Sequence, residues 1–238
     1  MSKEYKELLT LTDGPDKIEK NQYGMLKLKS QEFPWTIKEF EFDVLTSLVS
    51  TYNCRRAFEV ATGFGVSSLA IGLGLKETQG KLVTVDAYVE ELKNHPDVYR
   101  GSNPTIHTQA IGYKMVKYLI DRYDLTNTVF PEVGWSPRDT SDILKRHLVP
   151  GEKLDFVFID GGHFSEQVIR DVEGVLPFLA PKNIIVFHDG FNQVFDRPTV
   201  SRIESLLRKP LRMLVDINTG LGNNMMIVNN MDYYPSWL

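Results

Sequence analysis

The sequence predicts an α/β domain on an open, mostly parallel seven-stranded sheet, with helices on both faces and an antiparallel edge. Three observations carry this. Five short apolar runs alternate with segments of helical periodicity, the pattern of successive β-α units. The first of these runs leads directly into a glycine turn and a helix start, Glu59-Val-Ala-Thr-Gly63-Phe-Gly65-Val-Ser67. Two further apolar runs near the C-terminus are joined through Asn218-Thr-Gly-Leu-Gly-Asn with no helix between them, as an antiparallel pair requires.

Along the chain, residues 1–35 are polar, with Asp13-Gly14-Pro15 as a turn signal and Phe33-Pro34-Trp35 as a close. They read as an N-terminal extension that packs on the domain or on a second subunit of a homodimer, and residues 36–238 read as the domain itself. From Thr36, the spacing of Ile37, Phe40, Phe42, Val44, Leu45, Leu48 and Val49 predicts an amphipathic helix. Thr36 is the expected N-cap, with Glu39 completing a capping box. Strands are predicted at 57–61, 82–86, 129–133, 156–160 and 184–188, and the edge pair at 212–217 and 224–228. Helices are predicted at 67–75, 108–122, 140–148, 165–179 and 199–207. The connection from Tyr88 to His107 is long and rich in Asn, Pro and Gly. Leaving the carboxyl end of the second strand, it reads as a lid or as a surface insertion.

At 238 residues, with 42% hydrophobic and 24% charged, the chain has the length and composition of one well-buried globular domain. The net charge of -4 argues against a nucleic-acid partner, since phosphate binding draws on basic surface. No apolar run approaches the roughly 20 residues that span a bilayer. The N-terminus is polar and mixed in charge, unlike a secretory signal, so the expected location is cytoplasmic with no membrane partner. The one cysteine, Cys54, excludes an internal disulfide and a multi-cysteine zinc site; it reads as a core thiol at the start of a buried strand.

The glycine turn is where a ligand is expected. Gly63 and Gly65 can adopt backbone angles closed to other residues and let a ligand approach the main chain. A strand, tight turn and helix start at a sheet's carboxyl edge is the arrangement that holds nucleotide-like molecules. Gly63-Phe-Gly65-Val-Ser-Ser68 half-matches the dinucleotide fingerprint, but Ser68 stands in the third glycine's place, and a carboxylate, Glu59, precedes the turn. That carboxylate would repel a pyrophosphate and attract the ammonium of an amino-acid-like ligand. The pair therefore favours S-adenosylmethionine over NAD, with an NAD-dependent oxidoreductase as the alternative. Asp86, closing the second strand, can accept ribose hydroxyls. Gly134-Trp135-Ser136 offers an aromatic face and a small polar group to an adenine ring, although Trp135 can equally belong to the core.

The fourth and fifth strands end in polar groups, Asp160 and His188-Asp189. Neighbouring strands lie about 4.8 Å apart, so these groups can converge at the carboxyl edge and hold a divalent cation. In the alternative reading Asp160 caps the turn through Gly161-Gly162 and His188 is a hydrogen-bonded strand-end residue. His163, after the two glycines, is a candidate general base or a surface residue at a helix start. His95, His107 and His147 read as solvated. The sequence has no serine elbow, Walker loop or zinc-ligand cluster.

From about Thr36 to Val228 the chain resembles class I S-adenosylmethionine-dependent methyltransferases. The resemblance rests on Phe58-Glu-Val-Ala-Thr-Gly-Phe-Gly-Val-Ser67, Val83-Thr-Val-Asp86, Phe156-Val-Phe-Ile-Asp-Gly-Gly-His163 and Ile184-Ile-Val-Phe-His-Asp189. The last two are most similar to the small-molecule O-methyltransferase branch, which includes sugar and antibiotic methyltransferases. It implies a Rossmann-like methyltransferase fold and methyl transfer to a hydroxyl of a small molecule such as a natural product, sugar or phenol. It also implies a cofactor set of Glu59, Gly63, Gly65, Ser67, Asp86, Trp135, Ser136 and Asp160. In metal-dependent members, carboxylates at these two strand ends bind the ion, which places Asp160, His188 and Asp189 as ligands and Asp160 and His163 as catalytic. The catechol-type pattern has Asp-Asn in place of His188-Asp189 and a lysine in place of His163. A histidine ligand favours an ion softer than Mg²⁺. A non-catalytic cofactor-binding protein of the same fold is the further alternative.

Overall fold

The computed structural model describes residues 37–88, 113, 116–162, 164–189, 195–214 and 225–231. The N-terminal extension, Thr36, residues 89–112 of the long connection and His163 lie outside the described residues.

The first helix, α1 (Glu39–Thr51), begins later than the predicted Thr36 start, and its cap differs from the one expected. Glu41 turns back, accepting the Lys38 backbone N–H at 2.7 Å. There follow β1 (Arg56–Val60), α2 (Val66–Thr78) and β2 (Lys81–Asp86). After a helix α3 (116–122) come β3 (Val129–Val133), α4 (Thr140–His147), β4 (Leu154–Ile159) and α5 (Ser165–Val175). Then β5 (Leu179–Phe187), α6 (Arg197–Leu207), β6 (Arg212–Leu214) and β7 (Met225–Asn229) complete the order. The helix expected to reach residue 179 stops at Val175. A single 3₁₀ turn, Leu176–Phe178, follows it, centred on Pro177, whose ring removes a backbone donor.

The seven strands lie in the order β3-β2-β1-β4-β5-β7-β6. The first five are parallel, while β7 runs antiparallel to both β5 and β6. Chain order reverses at β1, with β2 on one side and β4 on the other, so the crevice for a ligand opens at the carboxyl ends of these central strands.

Both sheet faces are buried, which explains why the strands read as near-continuous apolar runs. Ala57, Leu82, Phe156, Phe158, Ile184 and Val186 pack under α1, α2 and α3 through Leu45, Leu48, Leu69, Leu75 and Leu119. Their strand neighbours Phe58, Val83, Val157, Ile159, Ile185 and Phe187 pack against Ile143, Leu144, Val172, Val175 and Ile203 of α4, α5 and α6. Phe156 and Phe158 are fully buried, each contributing roughly 1.5–3 kcal/mol of apolar transfer. Among the described residues, no helix is long and apolar enough to cross a membrane.

Candidate active site

The turn after β1 has left-handed backbone at every second residue. Ala61, Gly63 and Gly65 have φ of 70°, 52° and 81°. The Ala61 N–H still bonds to Val85 O at 2.8 Å, so its backbone is held by β2 against a strain of roughly 1 kcal/mol. The two glycines differ in kind. A Cβ on Gly65 would lie 2.7 Å from Val116 Cγ2 and 3.2 Å from Val116 Cα, so that glycine lets α3 close on the turn. A Cβ on Gly63 would meet nothing within 4 Å, leaving the space over that peptide open.

Asp86, just across the sheet edge, accepts the Gly63 N–H on Oδ2 and the Tyr88 N–H on Oδ1, both at 2.9 Å. Burial raises its pKa and these two donors oppose the rise. The carboxylate expected to meet ribose hydroxyls therefore also fixes the glycine turn to β2. Thr62 and Thr84 brace the same junction, hydroxyl to hydroxyl at 2.6 Å.

Glu59, on β1 just before the turn, is completely buried. The Ser68 hydroxyl from the first turn of α2 donates to its Oε2, while Oε1 has no hydrogen-bond partner. Burial pushes the Glu59 carboxyl up to about 7, a rise that the hydroxyls of Ser67, Ser68 and Thr84 only partly oppose. A buried carboxylate oxygen left unpaired costs free energy that a bound cationic group would return. Ser67 is itself buried at the start of α2, beside this carboxylate.

Beyond β3, the half-buried Trp135 and Ser136 belong to a short loop tied to β2 by the Gly134 N–H, which bonds to Asp86 O at 3.0 Å. The Trp135 N–H donates to Asp139 at 2.8 Å. The Ser136 hydroxyl donates to Asp171 Oδ1 at 2.7 Å, an oxygen that also receives Gln167 Nε2 at 3.0 Å. Gln167 further donates to Ser136 O at 2.9 Å, and the Thr140 hydroxyl donates to Ser136 Oγ at 3.1 Å. Asp171, 1% exposed, keeps Oδ2 unpartnered, and burial pushes its carboxyl up to about 6. This network escaped the sequence reading. Its signal was an aspartate within the apolar stripe Val168, Val172 and Val175 of α5.

The ends of β4 and β5 bring three further groups together. Asp160 N–H bonds to Val60 O and His188 N–H to Ile159 O, both at 3.1 Å, so each residue extends the ladder by one step at the carboxyl edge. Asp160, His188 and Asp189 each offer a ligand atom within 4.8 Å of the others. His188 Nδ1 lies 3.0 Å from Asp160 Oδ1 and 3.4 Å from Asp189 Oδ1. Its Nε2 lies 3.2 Å from Glu41 Oε2 of α1, a partner that sequence reading did not identify. Burial alone would lower the His188 pKa, but the surrounding Asp160, Asp189 and Glu41 carboxylates outweigh it and raise it. The adjoining pocket is lined by Ile159, Gly161, Gly162, Val168 and Phe195 along with the three polar residues, so an apolar wall faces the cluster.

The structure thus groups Glu59, Gly63, Gly65, Ser67 and Asp86 around one turn, and Asp160, His188 and Asp189 at the adjacent strand ends. Trp135 and Ser136 occupy the loop next to Asp86.

Comparison with known proteins adds a family. The profile of a family described as a methyltransferase domain matches residues 58–190. Among solved structures, the chain is similar to an O-methyltransferase from Bacillus cereus in complex with SAH, with TM-score 0.58 and 17% identity over 92% of this chain and 95% of that one. It is also similar to the O-methyltransferase TomG from Streptomyces achromogenes, involved in tomaymycin synthesis and in complex with SAM. There the TM-score is 0.59 and the identity 13%, over 96% of this chain and 99% of that one. An SAH-bound methyltransferase from Podospora anserina gives TM-score 0.54 and 12% identity over 96% of each chain.

Proposed function

The chain belongs to the methyltransferase-domain family, and on that premise we propose that it uses S-adenosylmethionine to methylate a hydroxyl oxygen of a small molecule. The observation that carries the cofactor is the unpaired, fully buried Oε1 of Glu59 on the strand that leads into the Gly63 turn, over which the space is open. An ammonium fits that oxygen and a pyrophosphate does not, which speaks against NAD. Asp86 retains a lone pair on each oxygen beyond its two backbone bonds and can take ribose hydroxyls. Trp135, in the loop beside Asp86, would offer its ring to the adenine, and the Ser136 hydroxyl, donating to Asp171, helps hold that loop.

The strand-end cluster is the proposed acceptor site. Two carboxylates and one imidazole can hold a divalent ion, the imidazole suiting one softer than Mg²⁺ such as Zn²⁺ or Fe²⁺ and the carboxylates also accommodating Mn²⁺. When bound, S-adenosylmethionine supplies a methyl on a positively charged sulfur, and a divalent cation makes a neighbouring hydroxyl easier to deprotonate. Asp160, His188 Nδ1 and Asp189 would hold that cation and so orient the acceptor oxygen. Asp160 also stands between the two halves of the site, one strand from Glu59, and His163 is the proposed base that receives the hydroxyl proton. Val168 and Phe195 give the acceptor's carbon skeleton an apolar wall and keep water from it.

Incubating the protein with methyl-labelled S-adenosylmethionine and a panel of phenols, sugars and hydroxylated natural products tests this. Label transferred to an acceptor oxygen is the expected result. Cofactor binding without transfer to any acceptor would favour a non-catalytic binder of the same fold, and failure of the cofactor to bind would remove the proposal.

A further inference from the structure

Among the described residues, a buried polar contact joins α1 to His188 at the end of β5. Glu41 lies between Phe40 and Phe42 at the acidic start of α1, yet it is only 1% exposed. A carboxylate so deeply buried is retained only where it is paired. Its Oε2 accepts the Lys38 backbone N–H at 2.7 Å and lies 3.2 Å from His188 Nε2, across 147 residues of sequence. Phe158 stands edge-on to the imidazole with ring centroids 6.3 Å apart, so the ring is held at its far nitrogen and along one side.

The consequence falls on Nδ1. An ionised carboxylate only accepts, so the nitrogen facing Glu41 carries the hydrogen. In a neutral ring that leaves a lone pair on Nδ1, pointing at Asp160 Oδ1 at 3.0 Å and Asp189 Oδ1 at 3.4 Å. A lone pair and two carboxylate oxygens repel one another unless a positive charge sits among them, either a proton on Nδ1 or a bound cation in its place. Glu41 is on the opposite side of the ring from that point and is not one of the three clustered ligand atoms.

We propose that Glu41 is a positioning residue for His188: it accepts the Nε2 hydrogen and so presents Nδ1, in the correct tautomer and orientation, to a divalent cation held with Asp160 and Asp189. The inference rests on the cation reading of the strand-end cluster given above. Carboxylate partners of this kind orient a ligating imidazole and raise its basicity, and their loss typically weakens metal binding by about 10- to 100-fold.

The test is Mn²⁺ affinity, followed by electron paramagnetic resonance, on the full chain as wild type, Glu41→Gln and Glu41→Leu. Thermal melting and calorimetric S-adenosylmethionine affinity are measured on the same samples. Glu41→Gln keeps an acceptor for Lys38 and for His188 but not the charge, and is expected to bind Mn²⁺ about tenfold more weakly with unchanged cofactor affinity. Glu41→Leu is expected to lose a further several-fold; should it fail to fold, Glu41→Gln decides alone. Equal Mn²⁺ affinity in wild type and Glu41→Gln overturns the positioning role while leaving the cation site standing. Absence of Mn²⁺ binding by wild type overturns the cation site and this inference with it.

Discussion

Replacing Glu59 by glutamine should make the cofactor-free protein more stable and the cofactor weaker-binding. The carboxyl is completely buried, and burial raises its pKa from 4.5 to about 7 in the fold. A raised folded-state pKa means that the native state holds the proton more tightly than the unfolded chain, so stability is greatest at low pH and falls as pH rises through 4.5 to 7. At roughly 1.4 kcal/mol per pH unit, the loss is about 3 kcal/mol by pH 8 and under about 1 kcal/mol at pH 5. Glutamine does not ionise and keeps an oxygen for the Ser68 hydroxyl, so Glu59→Gln should gain about 3 kcal/mol at pH 8 and little at pH 5. The same change removes the partner proposed for the ammonium of S-adenosylmethionine. A hydrogen bond to a charged group contributes roughly 1.5–3 kcal/mol, so affinity should fall by about one to two orders of magnitude. Urea unfolding at pH 5 and pH 8, with calorimetric titration of the cofactor, reads both effects. A variant less stable than wild type at pH 8 would refute the burial penalty, and unchanged cofactor affinity would refute the pairing.

Three further outcomes follow from the same geometry. Gly65→Ala should cost at least about 2 kcal/mol in urea unfolding, since left-handed strain adds to the 2.7 Å approach to Val116, whereas Gly63→Ala should cost about 1 kcal/mol. Gly63→Ala should nevertheless lose at least about tenfold in cofactor affinity, because its methyl enters the space left open over the turn. Asp171→Asn should stabilise the protein by up to about 3 kcal/mol at pH 8, falling to about half that at pH 5. The reason is that a carboxyl raised from 3.8 to about 6 weakens the fold as pH rises through that interval; an unchanged pH profile in urea unfolding would contradict this. Asp160→Ala should abolish measurable Mn²⁺ binding in electron paramagnetic resonance and reduce methyl transfer at least about a hundredfold, and full activity after exhaustive chelation would remove the cation from the account.

Most of the framework was legible because it is written in local pattern. Apolar runs of five or six residues marked β1 to β4, and the glycine turn marked the crevice, since φ of 52° and 81° at Gly63 and Gly65 is a demand that the sequence displays openly. Convergence of Asp160 with His188 and Asp189 followed from strand adjacency alone, as β4 and β5 pair in parallel through Phe158 and Val186. What local pattern could not display were contacts made across the fold. Glu41 reads as one of three acidic residues in the first turns of α1, with Glu39 and Asp43, until the fold lays it against His188. Asp171 reads as a flaw in the stripe of α5 until Ser136 and Gln167 reach it. The start of α1 was misplaced for a related reason: Glu39 and Glu41 are equally good capping acidic residues in sequence, and burial against the end of β5 selects Glu41. The early start of β5 at Leu179 turned on Pro177 ending the preceding helix, a signal that was visible but outweighed by helical periodicity.

Calorimetric titration of the protein with S-adenosylmethionine, and with NAD in parallel, tests the central claim most directly. The account predicts saturable binding of S-adenosylmethionine in the micromolar range, tightening as pH rises through about 7 as Glu59 ionises, with no binding of NAD. Binding of NAD with no response to S-adenosylmethionine would contradict it.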